Sequence, residues 1–418
     1  MLPRTIHPDE IASLEIVRRL LPWREQLRSG FGTAHGNARL ELIDVLLVLT
    51  AAFFNPLVRS QRLIEALSSQ SWLQKQTGLQ RIPRSTLSDA LARFNPRQLE
   101  PLIKQLAARL PGLNQRDPDL ATLTRQVIAA DGSYFNLAGE VLWALACRRG
   151  SGQTPQSRVR LDLQLDIDSG TLEQGHVSGK EAGSEPAALI RNLKPGVIYL
   201  VDRLYVHFGF LSAVLEKKSS FVIRLKKDTL FEVHEEAPLC AKDKELAVRA
   251  DQVGYLSGPV SPTNQGRRSR TTRPPTQKLR RVVVWDASKQ EEVLLLTDLL
   301  EVPAYVIAVL YRKRWMIELY LRFLKCTASM DHLISKSRQG ITLQLYAAMI
   351  ATLLLHLSTG TRVSKYSLFW LGAVAGGQAT LEEMQAGLMR VEREKALERV
   401  RRKKKRLAEP AAELEKKN

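Results

Sequence analysis

Gln126-Val127-Ile128-Ala129-Ala130-Asp131-Gly132-Ser133 marks the point where the hydrophobic period of the chain changes. Its apolar run ends in Asp-Gly-Ser, the pattern of a buried strand followed by a turn. Downstream, Val159, Leu161, Leu163, Leu165 and Ile167 alternate with polar residues, a period-two strand closed at Asp168-Ser169-Gly170. The segment Thr171–Val177 then returns as a hairpin. Glu185–Leu193 reads as a helix, Val197–Val201 as a buried strand ending at Asp202, Phe208–Glu216 as a helix and Ser220–Leu225 as a strand. A hairpin followed by strands alternating with helices predicts an α/β fold, a mixed sheet covered by helices.

Upstream, residues 1–120 read as helical, with apolar residues at helical spacing through Ile11–Leu21, Leu40–Phe54 and Leu63–Leu73. Arg84–Phe94 reads as a short helix with Ser85 as N-cap and Leu87, Leu91 and Phe94 inward. Its outer face carries Arg84, Thr86, Ser88 and Arg93. That resembles the second helix of a helix-turn-helix, and an ordinary amphipathic surface helix fits the same pattern. Residues 226–300 are strand-like, with Val282–Trp285 and Glu292–Thr297 the clearest strands. From Gln252 to Trp285 there is no acid, while Arg267, Arg268, Arg270, Arg273, Lys278, Arg280 and Arg281 are cationic. A solvated loop accounts for this, and a phosphate-contacting loop accounts for it better. After Pro303 the helical period returns through Val306–Lys325 and Thr342–Leu357, and the tail from Leu381 carries the basic run Arg401–Arg406.

The 418 residues carry 62 Lys and Arg against 43 Asp and Glu, a formal net charge of +19, with an isoelectric point near 10.0. A field of that sign concentrates polyanions. The apolar stretches Val45–Phe54 and Leu345–Leu355 are too short to span a bilayer, and Met1–Leu20 mixes charges unlike a signal peptide. Cys147, Cys240 and Cys326 form neither a disulfide framework nor a zinc pattern, so a reducing, cytoplasmic compartment is expected. Composition thus points to a multidomain, nucleic-acid-facing protein with no membrane partner.

Three acids stand out by position. Asp131 and Asp202 each end a short apolar strand, and in neighbouring strands they would meet at the C-terminal edge of the sheet, where ligand sites tend to lie. Glu318 lies in Tyr311-Arg312-Lys313-Arg314-Trp315-Met316-Ile317-Glu318-Leu319-Tyr320-Leu321-Arg322-Phe323-Leu324-Lys325. Read as one continuous helix, this puts Tyr311, Arg314, Glu318 and Lys325 on one stripe, with Met316, Leu319 and Phe323 elsewhere. Carboxylates in twos and threes hold Mg²⁺ or Mn²⁺, two such ions serve phosphodiester chemistry, and Arg, Lys and Tyr grip the flanking phosphates. Taken singly, an Asp after a strand is a turn residue and a Glu beside Arg is a surface pair. Asp162, Asp166 and Asp168 are equally eligible by position alone.

Tyr311-x2-Arg314-x3-Glu318-x6-Lys325 resembles the YREK signature of DDE transposases of bacterial insertion sequences, insertion sequence family four. Asp131-Gly132-Ser133 resembles its first-aspartate motif, and Asp202-Arg203-Leu204-Tyr205 its second, with Leu204 where glycine is usual. The resemblance covers about 120–360. It implies a ribonuclease-H-like catalytic core in two parts, 121–225 and 301–360, separated by a β-rich insertion at 226–300. A helical, DNA-binding domain at 1–120 and a helical basic tail at 361–418 flank that core. The resemblance further implies cut-and-paste cleavage and strand transfer by Asp131, Asp202 and Glu318 with Mg²⁺ or Mn²⁺, two ions. The partners implied are double-stranded DNA, at the inverted-repeat ends and at the target, and a homodimer assembled on the ends, at the nucleoid. DNA contacts are expected from Tyr311, Arg314, Lys325, Arg203, Arg84, Arg93, Arg267, Arg268 and Arg270. In better-known relatives a tryptophan of the insertion stacks a flipped base, and Trp285 is the candidate, with Trp315 second. A DNA-binding relative without catalysis would lack one acid, and none is missing here; a ribonuclease-H-like nuclease is the other alternative.

Overall fold

The computed structural model describes residues 16–27, 40–55, 58–110, 118–121, 123–137, 141–147, 156–170, 172–257, 274–326, 333–360, 365–375 and 378–415. Arg267, Arg268 and Arg270 lie outside the described residues. The N-terminal part is helical: α1 Arg24–Leu27, α2 Leu42–Phe53, α3 Gln61–Ser68, α4 Ser71–Thr77, α5 Arg84–Arg93 and α6 Glu100–Ala108. The single helix expected over Leu63–Leu73 is two, parted at Ser69 and Gln70. In α5 the cap is Pro83 rather than Ser85. The Pro83 carbonyl already accepts from the Leu87 N–H at 2.9 Å, which places Ser85 inside the first turn.

The central elements are β1 Val127–Asn136, β2 Leu145–Cys147, β3 Gln156–Asp166, β4 Leu172–Ser178, α7 Glu185–Ile190, β5 Ile198–Val201, α8 Phe208–Glu216 and β6 Ser220–Arg224. Next come β7 Phe231–Glu236, α9 Ala241–Glu245, β8 Val248–Leu256, β9 Leu279–Asp286 and β10 Glu291–Thr297. The chain then returns to helices: α10 Ala304–Lys313, α11 Trp315–Cys326, α12 Arg338–Thr359, α13 Lys365–Ala375 and α14 Leu381–Glu415. The ten strands form one sheet in the order β2-β3-β1-β5-β6-β10-β9-β8-β7, with β4 also on β3. β1, β5 and β6 are mutually parallel and the other pairs are antiparallel. This mixed α/β order is consistent with a ribonuclease-H-like core. The strands between Asp202 and Glu318 do not stand apart from it, because β10 pairs with β6 and carries the sheet onward.

β1 does not turn at Asp131 as its Asp-Gly-Ser predicts. The long β3 keeps pairing with it, Asp131 opposite Leu163 and onward to Asn136 opposite Arg158. Alternation along the central strands sorts the core into two layers. Val127, Ala129, Leu163, Leu200 and Val222 pack toward the N-terminal helices and α10–α12. Ile128, Ala130, Tyr199, Val201 and Phe221 pack toward α7 and α8. Being covered on both faces, the parallel strands read as unbroken apolar runs at Val127–Ala130, Ile198–Val201 and Phe221–Ile223.

The hub of the first layer is α12, on which α2, α5, α6 and β4 all pack. The Ser337 hydroxyl donates to the Leu91 carbonyl at 3.2 Å, and Gln61 Nε2 to the Ile334 carbonyl at 2.9 Å. By length and hydropathy α12 is able to cross a membrane, a longer apolar run than the Leu345–Leu355 read from sequence, but 72% of its apolar window is buried inside the fold.

Candidate active site

Register builds the site. Val127 pairs with Ile198 and Ala129 with Leu200 on the parallel strand, so two residues further on Asp131 stands beside Asp202. By alternation both fall on the α10–α12 side. α10 and α11 cover that side and bring Tyr311 and Glu318. The Tyr311 hydroxyl donates to Asp202 Oδ1 at 3.4 Å. Burial pushes the Tyr311 phenol up to about 12, so it remains a donor at neutral pH.

The helix expected over Val306–Lys325 is interrupted at Arg314. The Arg314 N–H bonds the Tyr311 carbonyl and the Ile317 N–H bonds the Arg314 carbonyl, both at 3.1 Å and one residue tighter than α-helical spacing. Across this break Arg314 Nη2 donates to Glu318 Oε1 at 2.5 Å. The Arg314 guanidinium lies 5.4 Å from the Tyr311 ring centre, and its buried Nε has no partner among the described residues. The sequence leaves two readings of Arg314, a phosphate contact and a pair with Glu318; the structure shows the pair.

Lys325 Nζ stands 5.2 Å from the ring centre of Phe135, on the same strand and side as Asp131. From Glu318 to Lys325 a helix rises about 10 Å, and from Asp131 to Phe135 a strand rises about 13 Å. α11 therefore runs along β1 in the same sense, with Glu318 at the acid end and Lys325 beyond it.

Desolvation is the main cause that pushes the Asp131 carboxyl up to about 6. The Gly132 N–H, bonded to Asp131 Oδ1 at 2.9 Å, and the Arg314 charge oppose this, while Glu318 and Asp202 add to it by like-charge repulsion. This is the chemistry of a hard divalent cation site: oxygen donors with repelling charges that a cation would relieve. Asp131 and Asp202 fit such an ion. Glu318 is turned to Arg314, and among the described residues no three His, Cys, Asp or Glu side chains close on a single point as they stand.

The other residues singled out from sequence are spread more widely. Arg203 is exposed in the 3₁₀ turn directly after Asp202, with Leu204 exposed beside it. Trp315 opens α11 and is 47% exposed, with the Arg322 guanidinium 5.8 Å from its ring centre. Trp285 is remote. The ladder from Asp202 through β6 and β10 reaches Val282 on β9, leaving Trp285 about 10 Å further along and about 14 Å across. It is half-buried, with the Arg249 guanidinium 5.0 Å from its ring centre. Arg84 and Arg93 are exposed at the two ends of α5. Of the alternative acids, Asp162 is held by Arg160 at 2.6 Å and by Ser178, and Asp166 accepts from Gln126 and Ser169 at the far end of β3.

One acid escaped the sequence reading. Glu185, the first residue of α7, is only 7% exposed and makes no ion pair or side-chain hydrogen bond among the described residues. Burial pushes its carboxyl up to about 7; the Arg160 charge opposes this, and Asp131, Asp162 and Asp202 add to it. A Cβ placed on Gly132 would lie 2.7 Å from Glu185 Cδ. The glycine after Asp131 is the one trace of this contact in the sequence.

Asp131 within β1 and Asp202 directly after β5, with a third acid on a helix laid over them, form a cluster of carboxylates on an α/β sheet. Residues 122–354, over half of the chain, match the family model described as the transposase DDE domain. The chain belongs to that family, whose members catalyse DNA cleavage and strand transfer. Over 173 residues it is 30% identical to a protein of Sinorhizobium fredii (strain NBRC 101917 / NGR234) named as transposase y4zB, covering 40% of this chain and 44% of that one. Over 159 residues it is 27% identical to a Geobacillus stearothermophilus protein named as a transposase for insertion sequence element IS5377, 38% of each chain. A 51-residue stretch, 12% of this chain and 15% of the other, is 45% identical to a Synechocystis protein named as a transposase for IS4SA. The chain spans less than half the length of each of these curated relatives.

Proposed function

We propose that this chain is the transposase of an insertion sequence of family four, cutting its element free at double-stranded inverted-repeat ends and joining it to target DNA. The observation that carries the reading is the register that sets Asp131 beside Asp202 under Tyr311, with Arg314 and Glu318 at the same point. Asp131 and Asp202 would hold Mg²⁺ or Mn²⁺, with Glu318 completing the set once Arg314 turns to a DNA phosphate. When bound, two such ions supply an activated oxygen nucleophile and stabilise the leaving oxygen. Tyr311, kept protonated, orients the Asp202 carboxylate by its hydrogen bond. Arg314 has a donor to spare in Nε, and Lys325 extends the cationic side of α11 along the path of the strand being cut. Arg203 and Trp315 stand exposed beside the acids. Residues 1–120, the insertion 226–300 and the tail 361–418 handle the DNA, and two chains assemble on paired ends at the nucleoid in the cytoplasm.

The test uses linear DNA carrying the genomic sequence on both sides of the gene. Purified protein with Mg²⁺ releases the element at two fixed positions, and Asp131→Asn, Asp202→Asn and Glu318→Gln each abolish release while retaining retarded complexes with the ends. Full cleavage by any one of the three variants would remove that residue from the site.

A further inference from the structure

The helix that carries Tyr311 is anchored by residues from far earlier in the chain. Pro303, the N-cap of α10, has no side-chain acceptor, so the N–H groups of the first turn need one from elsewhere. Asp243 on α9, 4% exposed, supplies it. Its Oδ1 accepts from the Tyr305 N–H at 2.7 Å and its Oδ2 from the Cys240 N–H at 2.8 Å. Arg280 on β9, also buried, clamps the loop that leads into α10. Its Nε and Nη2 donate to the two oxygens of Asp251, each at 2.6 Å. Its Nη1 donates to the carbonyls of Leu299 at 3.2 Å, Leu300 at 3.3 Å and Val302. Toward the other end of α10, Arg312 Nη2 donates to the Leu246 carbonyl at 3.0 Å.

These anchors fix what the apolar face of α10 does not. Val306, Ile307, Val309 and Leu310 are buried and hold the helix on β6, β8, β9 and β10. Apolar burial is non-directional, so it sets the position along the axis less sharply than hydrogen bonds do. The Tyr311–Asp202 bond, at 3.4 Å, is near the limit of reach, and a slip of one residue away from Asp202, about 1.5 Å, breaks it. Charged groups buried this deeply are weak evidence for stability, since apolar residues of the same volume often hold a fold as well.

We propose that Asp243 is a positioning residue of the acid site, supported by Arg280: it sets α10 along its axis so that the Tyr311 hydroxyl meets Asp202 and Arg314 meets Glu318. The inference rests on the reading of Asp202 and Glu318 as members of that site. It gives the strand-rich stretch 226–300 a task at the acids besides any contact with DNA.

Hydrogen exchange of the full chain without DNA, read by mass spectrometry, tests this without need of activity. In Asp243→Ala the amides of 311–318 are expected to exchange about tenfold faster or more, while those of α12 keep wild-type rates. Faster exchange confined to 304–307 would make Asp243 a local cap and overturn the proposal, as would no change. If that variant does not fold, Asp243→Asn replaces it, with exchange of 311–318 at least about threefold faster in support and unchanged exchange against. On ends already bound, Asp243→Ala is expected to slow single-turnover cleavage on the order of 100-fold with end affinity unchanged. That loss should shrink in a Tyr311→Phe background, because Asp243 acts through the Tyr311 hydroxyl; losses that simply multiply overturn that route. If the wild-type protein releases no element, the transposase reading fails while the exchange result still decides the role of Asp243.

Discussion

Arg314 and Glu318 form an ion pair one helical turn apart, Nη2 to Oε1 at 2.5 Å, at the point where α10 breaks into α11. The arginine is 8% exposed, so this is not the weak surface pair that i,i+4 spacing ordinarily gives. Arg314→Ala is expected to cost about 1–3 kcal/mol in urea denaturation, less than the 3–5 of a fully buried pair because Glu318 is partly solvated. A change below about 0.5 kcal/mol would show that the pair contributes nothing to the fold.

Asp131 and Glu185 should make the DNA-free, metal-free protein less stable as pH rises. Both carboxyls sit above their unfolded values, at about 6 and about 7, so between pH 4 and 7 the folded state holds the extra protons. Stability is therefore highest below the unfolded values and falls as pH rises through the folded ones. Asp131→Asn and Glu185→Gln should each raise stability at pH 8 in EDTA by about 1–3 kcal/mol, with the gain gone near pH 4. Thermal melts across that range decide it; a gain that persists at pH 4 would refute the assignment.

Gly132→Ala is expected to destabilise by about 1–3 kcal/mol, because the new methyl group would displace the Glu185 carboxyl. In a Glu185→Ala background the same change should cost less, leaving a coupling energy above about 0.5 kcal/mol in a double-mutant cycle. Additive effects would mean that the two residues do not compete for one space.

Trp315 should report DNA directly. Being 47% exposed, its replacement by Ala should leave stability within about 0.5 kcal/mol while weakening end binding about tenfold. Trp285→Ala should instead cost stability, since its ring is half-buried in the sheet under Arg249. Equal loss of binding with no loss of stability in Trp285→Ala would move the base-stacking role to the insertion.

Binding to end DNA should weaken steeply with salt, each neutralised phosphate adding about −0.9 to the log–log slope. Deleting the basic run 401–406 should lower that slope for all sequences alike. A changed sequence preference in the deletion would give the tail a recognition role.

The central strands were legible because a strand covered on both faces must be apolar throughout, as 197–201 is, and β3 displays its alternation openly, whereas β2, β7 and β8 carry no such pattern and were not picked out. Phe208–Glu216 was legible to the residue because His207 and Lys217 close its apolar face. Three features were not. The break at Arg314 lies inside an unbroken helical period and arises only from tightened backbone bonds. The joining of β10 to β6 is a pairing between residues some 70 apart, which no local pattern encodes. Glu185 looks like any acid at a helix start, the place where the dipole favours one, so its burial leaves no mark in the sequence beyond Gly132 itself.

The packing of α2 on α12 has a consequence for how the chain is made. The apolar face of Leu42–Phe53 finds its cover in Arg338–Thr359, about 285 residues later. At roughly 5–20 residues per second, a ribosome takes on the order of 15–60 seconds to supply that cover. During this interval the sheet around Asp131 and Asp202 is already emerging while the first helices still lack their partner. A product terminated between Asp202 and α12 keeps the two aspartates but leaves those helices uncovered, a substrate for chaperones and proteases rather than a working fragment.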